Sequence, residues 1–204
     1  MRATIKWIRE YVVMPHRELG RPGPVCPFVM PALRLQCVWI SVVEDVVSDI
    51  VCVCSVLNHF MTLYNTTEQT AGSDSKLRTF IVVFPAIGGS GSSELMKRVH
   101  TAMKPSVVEQ GLMLGEFYPC NTSPGVRNPS FFPLRSPVPL FVLRHMVPGD
   151  LVFLTKPTDP PAWRVQFIRQ YMKTCENELS SDLWRDAHRA LTVAEAESTT
   201  WTTG

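Results

Sequence analysis

Apolar residues in this chain form short continuous runs that are separated by polar, glycine-rich or proline-rich segments. Four runs are β-branched or aromatic enough to predict strands: 33–41, 77–85, 111–119 and 139–146. The run at 77–85 is the clearest, because it is almost entirely apolar and is closed by Pro85. The pattern therefore predicts a sheet with a buried central strand.

Other segments show the three-to-four-residue spacing of amphipathic helices. The predicted helices are 4–14, 46–64, about 92–104 and 160–179. Beyond them, Leu183, Ala187 and Leu191 recur every four residues and predict one more short helix before a frayed end. A polar linker is predicted at 65–76, and the proline-rich segment 16–34 is predicted to hold no regular element.

The order of these segments predicts an α/β (α+β) protein with a mixed β-sheet covered by helices. A length of 204 residues fits one core, so we expect a single domain over residues 1–180. Residues 181–204 are predicted to be a C-terminal extension, a short helix followed by a flexible end.

Composition narrows the classes of partner. The net charge of +2 is too balanced for the usual nucleic-acid binder. Residues 1–36 are locally basic, which fits either an anionic ligand near this end or a basic surface exposed to solvent. The N-terminus carries Lys6, Arg9 and Glu10 where a secretion signal needs apolar residues, and the apolar run at 46–64 is interrupted by Asp49. We therefore expect a cytoplasmic protein with no nucleic-acid or membrane partner, its six cysteines reduced.

The segment 115–146 carries an unusual density of prolines and polar side chains next to predicted core strands. Arginine forks bind carboxylates or phosphates, and amides or hydroxyls add neutral hydrogen bonds. Five residues here and in the earlier proline-rich segment are predicted to bind a small-molecule substrate: Arg21, Arg135, Arg144, Asn128 and Ser136. The alternative is that the arginines pair with Glu116 and Asp150 and hold the loops together.

Glu116 and Tyr118 are two residues apart on a predicted strand, so their side chains face the same side and Phe117 faces the other. A carboxylate and a phenol in a dry pocket can act as base and acid. His145 is a third candidate; it faces away from Arg144, so at most one of these two neighbours joins the pocket. The alternative for Glu116 and Tyr118 is a hydrogen-bonded pair at the strand end.

Three blocks of the sequence, "PHRELGRPGPVCPFV", "GLMLGEFYP" and "NPSFFPLRSPVPLFVLRHMVPGDLVFL", resemble an uncharacterised domain family of microbial natural-product gene clusters. Members of that family carry a histidine where this chain has Tyr118. A weaker resemblance links the cysteine motif and the Arg-Ser element to haem-dependent N-oxygenating enzymes. This resemblance implies haem as a cofactor, with Cys26, Tyr118 or His16 as its axial ligand; otherwise Cys26 is a thiol packed beside Phe28.

These observations give a leading hypothesis and two alternatives. The first is a tailoring enzyme of natural-product biosynthesis that acts oxidatively, with haem, on a small carboxylate-bearing substrate. The second is a cofactor-free cyclase or isomerase in which Glu116, Tyr118 and His145 move protons. The third is a ligand-binding accessory protein that uses the same pocket without turnover.

Overall fold

The structure is a computed structural model that describes residues 1–45, 49–67, 75–89 and 91–202. Within these residues the α-helices are α1 Arg2–Trp7, α2 Val29–Arg34, α3 Ile50–Thr66, α4 Ser92–Glu109, α5 Leu151–Leu154, α6 Pro161–Thr174 and α7 Ser181–Thr202. The strands are β1 Val38–Val42, β2 Thr79–Val83, β3 Leu112–Phe117 and β4 Leu140–His145. Part of the predicted helix 46–64, most of the predicted linker 65–76 and residues 203–204 lie outside the described residues.

The four strands form one mixed sheet in the order β1-β2-β4-β3. Strands β1 and β2 are parallel, with Val38 opposite Thr79, while β2 and β4 are antiparallel, with Thr79 opposite Arg144. Every residue of β2 is buried, as its uninterrupted apolar sequence requires of a central strand. The mixed sheet and its accompanying helices confirm the predicted α+β class.

The prediction that segment 16–34 holds no regular element is wrong, because α2 occupies its end. Pro31 is tolerated there because it lies in the first turn of α2, where backbone N–H groups have no partner within the helix. Gln36 then takes a left-handed conformation, with φ of 56°, and turns the chain. As a result β1 starts at Val38 rather than at residue 33.

Two helices are longer than predicted. Helix α4 continues past Pro105 to Glu109, because Val107 and Val108 are buried and extend its apolar stripe. Helix α7 has 22 residues rather than the short helix expected, since Ala187 and Ala194 continue a buried face along its length. In both cases packing of the apolar face outweighs local signals for a helix end.

The described chain packs as two compact units, residues 1–103 with 114–144, and residues 104–113 with 145–204. The first unit contains most of the sheet. On one face of β2, Ile81 and Val83 pack with Leu140 and with Ile8 and Val12 of a π-helical turn that continues α1. On the other face, Phe80 contacts the rings of Phe60 and Tyr64 of α3.

The second unit is built on the pairing of α6 with α7. Its core contains Phe167, Ile168 and Tyr171 of α6 against Ala187 and Ala194 of α7. The small alanine side chains let the two helix backbones approach closely, so the large α6 side chains fill the space between them. The hydroxyl of Tyr171 donates to the backbone oxygen of Pro148 at 2.6 Å and anchors the loop before α5.

Candidate functional site

The first unit carries an open cleft of about 490 Å³ between its N-terminal helix and two proline-rich loops. Its lining residues are Trp7, Tyr11, Glu18, Ser130, Phe131, Phe132 and Arg135. Trp7 and Tyr11 lie one helical turn apart, so both rings face the same side, and they stack with centroids 6.2 Å apart. The cleft therefore has aromatic walls and two charged residues of opposite sign.

Arg135 is held at the cleft by contacts on both its backbone and its side chain. Trp7 Nε1 donates to the backbone oxygen of Arg135 at 3.0 Å. The Arg135 Nε donates to the backbone oxygen of the fully buried Asn121 at 3.1 Å, and the guanidinium lies 4.5 Å from the ring centroid of Phe132. Within the described part of the chain, its two terminal nitrogens have no hydrogen-bond partner, so this fork can bind a ligand.

Glu18 is held by its backbone and not by its carboxylate. Its N–H donates to His16 Nδ1 at 3.3 Å, and its carbonyl accepts from Asn128 Nδ2 at 2.8 Å. Asn128 also accepts at its Oδ1 from the N–H of Ser130, which fixes the opposite loop. Among the described residues the carboxylate of Glu18 has no ion-pair partner, although Arg135 lines the same cleft.

Tyr11 lies within the electrostatic influence of both charges. Burial raises the pKa of its phenol above the ordinary value; Arg135 acts to lower that pKa, and Glu18 acts to raise it. The hydroxyl donates to the backbone oxygen of Pro133 at 3.4 Å, a long contact. Tyr11 is consequently protonated at neutral pH. Its hydrogen bond to Pro133 is weak, so a ligand could replace that acceptor.

The loop that carries Glu18 is tightly packed against the loop that carries Asn128. Gly20 has φ of +72°, and a Cβ there would lie 2.9 Å from the Cβ of Arg127. Glycine is needed for both reasons, the left-handed backbone and the close approach. His16 adds a stacked contact with Phe131, with centroids 4.5 Å apart.

Of the five residues predicted to bind substrate, Arg135 lines the cleft and Asn128 positions Glu18. Arg21 instead donates to the backbone oxygens of Pro22 and Val25, both at 3.1 Å, and so braces its own loop. Ser136 is 5% exposed and donates to the oxygen of Val138 at 2.6 Å. Arg144 has its guanidinium 6.0 Å from the ring centroid of Phe28.

The predicted pair Glu116 and Tyr118 lies at the end of β3. Phe117 packs on Trp7, with centroids 5.5 Å apart, so the flanking side chains face the other side of the strand, as alternation predicts. Tyr118 is 1% exposed, and among the described residues its hydroxyl has no hydrogen-bond partner. Burial raises the pKa of Tyr118 to about 12, and the charges of Glu116 and Glu94 contribute.

The remaining predicted residues lie in different surroundings. His145 belongs to the second unit, where its Nδ1 lies 2.7 Å from the backbone oxygen of Met146. Cys26 packs against the cluster of Ile8, Val12 and Ile81. Cys26 is a free, partly buried cysteine at this position.

The three candidate haem ligands do not form a site that fits haem. Tyr118 is buried with a pKa raised to about 12, which disfavours the phenolate that binds iron. Cys26 is partly buried against a core cluster of the first unit, and His16 uses its Nδ1 as an acceptor and its ring as a stacking surface. None of these three residues lines the cleft, so we derive no step through a haem.

Trp7, Tyr11, Glu18 and Phe132 are site residues that sequence reasoning missed. The spacing of Trp7 and Tyr11, four residues apart on a predicted helix, was the available signal for an aromatic surface. Nothing local marks Glu18, because its position at the cleft depends on the distant Asn128.

Replacing Tyr118 with phenylalanine is expected to raise the free energy of unfolding at pH 7 by about 1 kcal/mol, because it removes a buried hydroxyl that has no partner. The folded pKa of about 12 lies above the unfolded value of about 10, so native stability falls as pH rises through this window. In the Tyr118→Phe variant, the free energy of unfolding should therefore fall less at alkaline pH than it does in the wild type. Urea unfolding at pH 7, 10 and 11 measures both effects; a destabilised variant would show that the hydroxyl has a partner.

Neither a membrane-spanning helix nor a metal-binding group of three or more His, Cys, Asp or Glu side chains occurs within the described ranges. Comparisons with curated proteins and with solved structures found no match. A family model with the description "Domain of unknown function (DUF6875)" matches residues 1–182, most of the chain. The chain therefore belongs to this family of uncharacterised domains.

Proposed function

We propose that this protein binds a small carboxylate-bearing molecule in the cleft of its first unit, with Arg135 as the carboxylate partner. The observation that carries the proposal is the state of Arg135: its Nε and ring contacts fix the guanidinium, while its terminal nitrogens have no partner in the described part of the chain. A fixed fork of two donors matches a carboxylate and loses little side-chain entropy on binding.

The aromatic walls determine what else the ligand carries. Trp7, Tyr11 and Phe132 present flat apolar surfaces beside Arg135. A planar or ring-bearing ligand would bury its apolar surface there while its carboxylate reaches the guanidinium. The cleft volume of about 490 Å³ accommodates a molecule of this size.

We extend the proposal to a tailoring step in natural-product biosynthesis, which is supported by the resemblance of three sequence blocks to domains of such gene clusters. For turnover, the cleft offers the Tyr11 hydroxyl as a hydrogen-bond donor to the substrate, because its raised pKa keeps it protonated and its own hydrogen bond to Pro133 is long. If no reaction takes place in the cleft, the same residues would serve a ligand-binding accessory protein.

Replacing Arg135 with glutamine is expected to weaken the binding of 3-phenylpropanoate, an aromatic carboxylate, by about tenfold or more, because a charge-assisted bidentate contact is lost. Titration followed by protein NMR measures both the affinity and the location of the perturbed residues. The matched control is Arg9→Gln, which removes an exposed arginine from the π-helical turn beside Tyr11. Equal weakening in both variants would reject Arg135 as the carboxylate partner.

A second candidate function, acid-base catalysis by Glu116 and Tyr118, is favoured by one observation: the charge of Glu116 contributes to the raised pKa of Tyr118. In such a pair the carboxylate of Glu116 would act as the base and the protonated phenol of Tyr118 as the acid. Tyr118 is 1% exposed, so a substrate reaches it only if the strand end opens. Under this hypothesis Glu116→Gln abolishes turnover of a bound substrate and leaves 3-phenylpropanoate affinity unchanged; retained turnover rejects it.

A further inference from the structure

Two unpaired charges of opposite sign line one cleft, and this feature restricts the ligand more than Arg135 does alone. Glu18 and Arg135 both line the cleft, but they form no ion pair with each other. Within the described ranges, neither the carboxylate of Glu18 nor the terminal nitrogens of Arg135 have another partner. Exposed ion pairs contribute little to stability, so two opposite charges at one cleft can stay apart and remain available to a ligand.

Hydrogen bonds hold the backbones of both residues. Glu18 is fixed by His16 at its N–H and by Asn128 at its carbonyl. Arg135 is fixed by Trp7 at its carbonyl and by Asn121 at its Nε. The backbones of both residues and the Nε of Arg135 are therefore fixed at the cleft, while the Glu18 carboxylate is left to turn towards a ligand.

Tyr11 shows that the two charges act on the same part of the cleft. Its phenol is influenced by both Arg135 and Glu18, in opposite directions. A ligand that covers the Tyr11 ring therefore lies in the same cleft as one positive and one negative side chain. Aromatic faces also favour a positive ligand group, because the ring quadrupole attracts cations.

We infer that the ligand is a zwitterion of the amino-acid class, with its carboxylate bound by Arg135, its ammonium bound by Glu18, and an apolar or aromatic side chain against the aromatic walls. This inference rests on the proposed carboxylate site and adds the ammonium subsite at Glu18. An α-amino acid carries both charges on neighbouring atoms and satisfies both residues at once. A ligand with a carboxylate alone makes no charge-assisted contact with Glu18 and is expected to bind more weakly.

Three probes of nearly equal shape separate the two subsites. Phenylalanine carries both charges, 3-phenylpropanoate lacks the ammonium, and 2-phenylethylamine lacks the carboxylate. The wild-type protein is expected to bind phenylalanine about tenfold more tightly than either of the other two, because each single-charge probe loses one charge-assisted contact. Titrations followed by NMR at pH 7 give all three affinities from one protein preparation.

Glu18→Gln distinguishes recognition of the ammonium from a general effect on the loop. The variant should bind phenylalanine and 3-phenylpropanoate with nearly equal affinity, while the affinity for 3-phenylpropanoate stays within about twofold of wild type or improves. The matched control is Glu10→Gln, an exposed carboxylate on the π-helical turn that does not line the cleft. This control should leave the preference for phenylalanine unchanged.

The outcomes separate the two proposals. If wild type binds phenylalanine and 3-phenylpropanoate equally, the zwitterion inference is overturned and the carboxylate site remains. A preference that survives Glu18→Gln also overturns it, because another group would then bind the ammonium. If 2-phenylethylamine binds as tightly as phenylalanine, or if none of the probes binds, the carboxylate site itself is rejected.

Discussion

Replacing Lys104 with methionine is expected to lower the free energy of unfolding by about 3 kcal/mol, because the largely buried carboxylate of Asp159 loses its ion-pair partner. Lys104 is 7% exposed; its Nζ donates to Asp159 Oδ2 at 2.5 Å and to the backbone oxygen of Phe153 at 2.9 Å. Methionine preserves the apolar stem but removes both hydrogen bonds. Urea unfolding followed by tryptophan fluorescence gives the change directly.

Two further variants show whether the loss comes from the carboxylate left behind. Lys97→Met removes an exposed lysine from the same helix and should change stability by less than about 0.5 kcal/mol. The double variant Lys104→Met with Asp159→Leu should recover most of the loss, because an apolar pair of similar volume often replaces a buried ion pair without cost. A double variant as unstable as the single one would contradict this explanation.

The pH dependence of the Lys104 variant has a defined sign. Burial lowers the pKa of Lys104 below its ordinary value, although the hydrogen bond and charge of Asp159 oppose this shift. The unfolded chain therefore binds more protons between the folded pKa and the ordinary value of about 10.4, so the contribution of Lys104 to stability rises with pH in that window. The stability difference between wild type and Lys104→Met should accordingly widen with pH there.

The core of the fold was predictable because its signals are local. Strand β2 is a continuous apolar run ended by a proline, and α6 begins at a proline and repeats its apolar residues at helical spacing. The start of β1 was not predictable, since it depends on the left-handed conformation of Gln36, a residue type with no preference for it. The continuation of α4 past Pro105 depends on tertiary burial, which local propensity does not report.

The candidate site was only partly predictable for a related reason. The density of polar residues around Arg135 predicted a ligand partner, but the residue that holds its backbone, Trp7, lies 128 positions away in sequence. Arg21 and Ser136 looked equally suited to a ligand, yet they hydrogen-bond to nearby backbone oxygens. Sequence identifies groups capable of binding, and only the folded loops decide which of them keep free donors.

Replacing Ala194 with glutamate is expected to lower the free energy of unfolding by about 3 kcal/mol or more, because a charged side chain without a partner would enter an apolar core. Ala194 is 1% exposed and packs in the cluster of Phe167, Ile168 and Tyr171. The chain can avoid burying the carboxylate only by releasing α7 from α6. Urea unfolding gives the loss of stability, and hydrogen exchange along α7 should show the release directly.

Ala196→Glu is the matched control, since it introduces the same residue two positions further along α7 at an exposed site. The neighbouring carboxylates Glu195 and Glu197 bind Arg169 and Arg164 of α6, so one more exposed negative charge costs little. We expect the control to stay within about 0.5 kcal/mol of wild type and to keep its exchange protection. Equal losses in the two variants would mean that surface charge on α7 matters, rather than the apolar contact with α6, and would contradict the packing described for the second unit.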